Sequence, residues 1–188
     1  GLFYFSKDGG TSWQKGGAGL PTTPLAIAVT KDGEIWVGTS PHQQGSVWRS
    51  NNGGVSFTRA SQHADGSLIK IPARPKLGPD GKIYLATLGK GVMRWQNDAW
   101  YTITDKAKYA TDLAFAPVGS TSPTTILATT NNDWVWSIRK TGNAFVATKM
   151  PTPTRLPQEW NGKLPPLTAV AIDPNTPADK PLIWLTGA

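Results

Sequence analysis

The 188-residue chain has no cysteine. That excludes a disulfide framework and a thiolate metal site, though not an extracytoplasmic home. Only two histidines are present. His42 and His63 have no spaced carboxylate cluster beside them, so no metal centre is expected. No apolar run approaches the ~18 residues that a membrane-spanning helix needs, and no signal-peptide pattern opens the chain. Acid is the scarcer charge: 12 Asp and Glu face 19 Lys and Arg, a formal net charge of +7. The basic residues are scattered through turns rather than clustered, and no nucleic-acid motif accompanies them. A nucleic-acid partner is therefore not expected. Cofactors are not expected either.

Turn formers and strand formers take the place of what is missing. Gly 20 and Pro 16 punctuate short β-branched and aromatic runs, the composition of an all-β domain. A period near 45 residues organises them. Ser6-Lys7-Asp8-Gly9-Gly10-Thr11-Ser12-Trp13 returns 44 residues later as Ser50-Asn51-Asn52-Gly53-Gly54-Val55-Ser56-Phe57. Both read S-x-[DN]-x-G-x-S-[WF], and both are called boxes below. The Asp or Asn and the Ser hydroxyls accept hydrogen bonds from turn N–H groups, and the glycines permit positive φ. The closing aromatic is expected to turn back into an apolar layer. Degenerate copies begin near Arg94 (Arg94 to Trp100) and at Ser137 (Ser137 to Phe145, one residue inserted).

Each box follows the same two strands. The nearer is Leu2 to Phe5, Ser46 to Arg49, Gly91 to Arg94 and Asp133 to Trp136; the farther is Ile35 to Thr39, Ile83 to Thr87, Thr125 to Thr129 and Ile183 to Gly187. Before these, Ile27/Val29, Ile69/Ile71, Leu113/Phe115 and Val170/Ile172 alternate with small residues, the period of a strand with one packed face. Four antiparallel strands per repeat, A to D from the inside outward, make a β-propeller blade. The chain reads as one domain over residues 1–188, or a portion of a larger propeller, with blade pieces 1–22, 24–60, 68–104, 111–149 and 167–188. About four blades' worth is present, the fourth split between the termini. Closure of that blade predicts that Leu182 to Leu185 pair with Leu2 to Phe5, within one chain or by self-association that completes the ring.

The boxes resemble the Asp-box (BNR) hairpins of sialidase-type and xyloglucanase-like propellers, and more distantly those of photosystem-assembly and sorting-receptor propellers. Ser6, Asp8, Gly10 and Trp13, with Ser50, Asn52, Gly54 and Phe57, are the matching residues, and their implied role is structural. The resemblance implies a ligand face built by D-to-A and B-to-C loops. On it, Arg155, Gln158, Glu159 and Trp160 in the long loop Val146 to Pro166, with His42, Gln43 and Asn132, are the candidate binding residues. An aromatic beside amides and charges can stack on a sugar and bond its hydroxyls. Catalytic residues cannot be assigned. Glycoside hydrolysis needs two carboxylates across a cleft, and Asp65, Asp105, Asp112, Asp133 and Glu159 are not paired by the sequence. Asp173 resembles a turn cap, and no F/Y-R-I-P motif supports a sialidase. Arg49 and Arg94 read as residues between blades. The expectation is a secreted or periplasmic module that binds a polysaccharide or protein and is non-catalytic on its own. A fragment of a glycoside hydrolase and a scaffold without small-molecule ligand are the alternatives.

Overall fold

The computed structural model describes residues 3–21, 23–42, 44–116, 125–152, 165–173, 175–176 and 182–187. Among these described residues, all sixteen regular elements are β-strands. Three four-stranded antiparallel meanders follow one another: β3 (Pro24–Val29) to β6 (Thr58–Arg59), β7 (Ala73–Leu77) to β10 (Ala99–Thr104), and β11 (Ala110–Phe115) to β14 (Ala144–Lys149). Two two-stranded sheets flank them in sequence, β1 (Phe3–Phe5) with β2 (Gln14–Gly16) and β15 (Leu167–Ile172) with β16 (Ile183–Gly187). This is the expected blade architecture, three complete blades and two partial ones. The chain divides into two compact units, Gly1–Leu85 with Arg94–Tyr101 and Ala86–Met93 with Thr102–Ala188.

In the first unit the two boxes form the same hydrogen-bonded hairpin. Ser6 Oγ donates to Asp8 Oδ1 at 2.7 Å and accepts from Gly10 N at 2.7 Å, while Ser12 N and Oγ donate to the Asp8 carboxylate at 2.9 and 2.6 Å. Ser50 and Asn52 repeat the set with Gly54 N at 3.0 Å and Ser56 N at 3.0 Å, the Asn52 amide nitrogen donating to Ser56 Oγ at 2.8 Å. The chain reverses on Gly9 and Gly10 (φ 70° and 94°) and on Gly53 and Gly54 (φ 69° and 87°), which side chains with a Cβ adopt at a cost. The second box docks on the residues after β2: Gly17 N donates to Gly54 O at 2.9 Å, and Phe57 N to Ala18 O at 2.7 Å. Phe57 then meets Phe3 edge-on at 5.0 Å, among Leu20, Val37 and Trp48.

The two closing aromatics differ, however. Phe57 is 5% exposed and Trp13 is 64% exposed, so of these two boxes the second meets the expectation of an inward aromatic, as does the buried Trp100 at the third box position. Phe57 has the Phe3 ring to pack on; Trp13 lies on the solvent side of its hairpin. Strand A also departs from expectation. In β3 Ala28 is buried while Leu25, Ile27 and Val29 are exposed, because the small residues form its packed face; in the later copies Leu113 and Val170 are buried, as expected. Close approach sets that choice: a Cβ on Gly38 of β4 (Ile35–Thr39) would lie 2.0 Å from the Ala73 carbonyl oxygen.

In the second unit, Ala114, Leu127, Trp134, Val135, Leu167 and Val170 form the core. Here the strand lineup read from the sequence is one residue out. Trp136 pairs with Ala128 as Trp48 pairs with Val37, so Trp136 and not Val135 is the counterpart of Trp48. The cause is Trp134, which turns the chain with φ 70° and drops out of the strand. Its carbonyl accepts from Thr130 N and Oγ1, both at 2.9 Å. Ser137 therefore opens no box. Residues 135–141 and 144–149 pair as a plain hairpin through Arg139↔Val146 and Thr141↔Ala144. A strand-A bulge recurs at Pro24/Ala26, Ala110/Asp112 and Leu167/Ala169, and the last two carry a threonine pair at 3.0 Å, Thr111 with Thr129 and Thr168 with Thr186. The expected ladder between the chain ends would join the first unit to the second; within each unit, β1 pairs with β2 and β15 with β16, the C–D and A–B halves of the expected blade.

The twin boxes give a controlled test of packing. A Cβ on Gly10 would come no nearer than 4.0 Å to a neighbour, whereas one on Gly54 would lie 2.5 Å from Phe3 Cε1. Gly10→Ala should cost only the backbone term, about 1 kcal/mol. Gly54→Ala should cost about 1–3 kcal/mol more for the clash. Urea unfolding of the two variants measures the difference; equal losses would mean that Phe3 is not fixed against the box. A second test uses acid. Hydrogen bonds from Ser12 hydroxyl and amide, then from Ser6, lower the Asp8 pKa from 3.8 to about 2. A depressed carboxylate stabilises the fold above its unfolded pKa, and that contribution fades as pH falls from about 4 to about 2. Asn52 has no such titration. Amide exchange at Gly10 and Ser12 should accelerate over that window before exchange at Gly54 and Ser56 does.

Candidate functional site

A one-residue shortening distinguishes the third box position. Ser50 reaches Phe57 in seven steps and Arg94 reaches Trp100 in six, where Trp100 N bonds Gln62 O at 2.9 Å as Phe57 N bonds Ala18 O. The loop shrinks to a two-residue turn, Asn97-Asp98, with φ 49° and 55°. Two successive positive φ values define the hairpin turn that matches strand twist, and Asn and Asp tolerate them best among residues with a side chain. A cleft of about 620 Å³ opens beside this turn. Its lining includes Asp32, Glu34 and Trp36 from the first meander, Asn51 from the second box, Lys82 from the turn before β8 (Ile83–Thr87), and Trp95 to Asp98.

The cleft wall is rigid. Trp36, Trp95 and Trp100 pack edge-to-face in a closed triangle, with centroids 4.9, 5.7 and 5.2 Å apart. Trp36 and Trp100 are fully buried, and each indole N–H is satisfied, Trp100 by Ala60 O at 2.6 Å and Trp36 by Glu34 Oε2 at 2.7 Å. Trp95 is half-buried. The Arg49 guanidinium lies 5.5 Å from the Trp95 ring and 6.0 Å from that of Trp36. One of its nitrogens is 3.7 Å from Glu34 Oε1 and 3.4 Å from Asp98 Oδ1. Arg49 thus ties β5 (Val47–Ser50) to the Asn97-Asp98 turn. Beneath the turn, Tyr84 Oη donates to Asp80 Oδ2 at 3.0 Å, and Arg94 reaches the same oxygen at 4.0 Å. Burial, then the Asp80 charge, pushes the Tyr84 phenol up to about 12, so it stays a donor.

Sequence reasoning missed this cleft. Arg155, Gln158, Glu159, Trp160 and Gln43 lie outside the described residues. His42 belongs to the first unit and Asn132 to the second. His42 Nδ1 accepts from Gln44 N at 3.1 Å, and Asn132 is exposed. Of the carboxylates singled out in the loops, Glu159 also lies outside the described residues, while Asp65, Asp112 and Asp133 are hydrogen-bonded. Asp65 caps its turn through Ser67 N at 2.8 Å and pairs with His63 at 3.0 Å; the Ser67 hydroxyl and amide first, then His63, hold it well below the usual carboxylate range. Asp112 Oδ2 accepts from Val170 N at 3.2 Å. Asp133 takes the Trp136 indole N–H at 3.1 Å and pairs with Lys149. Asp173 caps a turn through Asn175 N at 2.8 Å, as its sequence context implied. No group of three His, Cys, Asp or Glu side chains able to hold a metal occurs among the described residues. The signal that could have exposed the cleft was the missing residue between Arg94 and Trp100, in a stretch that also holds Trp95.

Arg49 is expected to hold the wall through two separable parts. Asp98→Asn should cost under about 1 kcal/mol, because the pair is solvent-exposed. Arg49→Ala should cost about 1–2 kcal/mol, since contact with two indoles is lost as well. Only the first loss should shrink as salt is raised in urea unfolding. A salt-insensitive Asp98→Asn effect would remove the ion pair from this account.

No protein-family model matches the chain, and no curated protein sequence matches it. A solved structure described as YCF48 bound to D1 peptide is similar at a TM-score of 0.48 and 12% identity, over 78% of this chain and 46% of that one. The chain therefore spans less than half the length of that structure.

Proposed function

We propose that the chain is a glycan-binding module of the Asp-box propeller type, extracytoplasmic and non-catalytic on its own, with the first unit's cleft as its binding site. The observation that carries the reading is the half-buried Trp95 indole, held in a tryptophan triangle and bordered by Asn51, Gln96, Asn97, Asp98 and Glu34. Sugars present apolar C–H faces together with dense hydroxyl groups. A fixed aromatic surface beside amides and carboxylates meets both. Preorganisation lowers the ordering cost of binding. Glu34 and Asp98 both lie against one Arg49 nitrogen, which favours a positioning role for them over the acid and base roles of a hydrolase.

Isothermal titration against a panel of soluble oligosaccharides tests the reading. Trp95→Ala should weaken binding by about 1 kcal/mol or more. Asn97→Gly keeps the left-handed turn and removes only the amide, so it should weaken binding with the fold intact. Xyloglucan should release no reducing sugar. Loss of affinity in Trp160→Ala, with Trp95→Ala and Asn97→Gly silent, would move the site to the loop face. Failure of every glycan to bind would sink the reading.

A further inference from the structure

The cleft inverts the charge of the chain around it. The whole chain carries +7, yet the charged residues on the cleft lining are Asp32, Glu34 and Asp98 against Lys82 alone. Arg49 stands behind the wall, and its charge is opposed by two carboxylates at 3.7 and 3.4 Å. Arg94 is matched in the same way by Asp80 at 4.0 Å. Counting every group on the lining and in the pairs behind it, carboxylates exceed cations. Two of the acids are also accessible: Asp32 is exposed at the turn between β3 and β4, and the Asp98 side chain is 82% exposed in the Asn97-Asp98 turn.

We infer that the glycan taken by this cleft is an amino sugar polymer, carrying protonated amines, in preference to a neutral or uronic-acid one. The inference rests on the glycan reading of the cleft and adds the charge of its ligand. An ammonium on a sugar in the cleft finds the Asp32 and Asp98 carboxylates on the same lining, and charge-assisted contacts to them favour a cation. A uronate would bring a carboxylate against Asp32 and Asp98, with Lys82 as the single lining cation. Both effects act through exposed groups, so both are screened by salt.

Three oligomers of equal length separate the possibilities: a glucosamine oligomer, an N-acetylglucosamine oligomer and an oligogalacturonate, titrated at low and high salt at a pH where the free amine is protonated. The amino oligomer should bind about three- to tenfold tighter than the N-acetylated one, and the uronate weakest. High salt should narrow that spread. Asp32→Asn with Asp98→Asn should erase the preference, the loss of affinity falling on the amino oligomer well beyond any loss for the N-acetylated one. Equal binding of amino and N-acetyl oligomers, or tighter binding of the uronate, overturns the charge inference and leaves the glycan reading standing. Binding of none of the three, with no other glycan bound, overturns both.

Discussion

The hydrogen bond from Gly54 N to Ser50 Oγ, with its partner from Ser56 N to Asn52 Oδ1, is the interaction on which the first unit's order depends. A hairpin that reverses on two left-handed glycines turns its N–H groups inward, away from the sheet ladder, where they need acceptors. Side chains two and four residues away supply them. Once the turn is fixed, Gly54 and Phe57 have fixed positions, and the box can lay its carbonyl on Gly17 N and its ring on Phe3. Local polar chemistry thus sets the spacing at which one meander's hairpin packs on the preceding strands.

The third box position shows what the same scaffold does without that chemistry. Arg94 replaces the serine and the loop loses a residue. A two-residue turn satisfies its own backbone and needs no side-chain acceptor, but it no longer covers the neighbouring meander. Trp95 packs against Trp36 and Arg49 in place of a box, which leaves Trp36 buried and Trp95 half-buried. The arginine is held by indoles on one side and carboxylates on the other. None of these contacts is worth much alone, since exposed pairs contribute little. Together they fix the orientation of a half-buried indole, and orientation is what a binding surface needs from its wall.

Legibility in the sequence followed the range of the interactions. The boxes were legible because their bonds span two to four residues, so the pattern carries the geometry. The meanders were legible because strand formers and turn residues recur at one period, although the second meander's strand A, read at Ile69/Ile71, lies at Ala73–Leu77. The cleft was not, because Glu34, Arg49 and Trp95 lie far apart in the chain and meet only when two meanders pack. Arg49 read as a residue between blades, which is where it lies, but nothing in the pattern placed Glu34 and Asp98 on it. The register error in the third meander has a different origin. A tryptophan at φ 70° costs of order 1–3 kcal/mol, and a lineup that assumes ordinary strand residues passes straight through it. Burial against Leu167 and Val170 and a bond from its indole to Pro151 O at 3.2 Å offset that strain. Those partners are distant in sequence, so the exception could not be read locally.

The contrast between Phe57 and Trp13 carries the same point to the level of function. The two residues close equivalent boxes with equivalent hydrogen bonds, yet one is core and the other is surface. The box therefore fixes a direction, and the neighbouring strand decides whether that direction is filled. Trp95 lies between these cases. Its neighbours Trp36, Trp100 and Arg49 hold it in place and leave it half-buried. A repeat fold can in this way turn a packing position into a binding position by trimming one loop, with the strands around it unchanged. The acids that border the opening, Asp32 and Asp98, then sit in turns, where a change of side chain disturbs no ladder bond. In such a scaffold the charge a cleft presents can vary independently of the stability of the sheets that frame it.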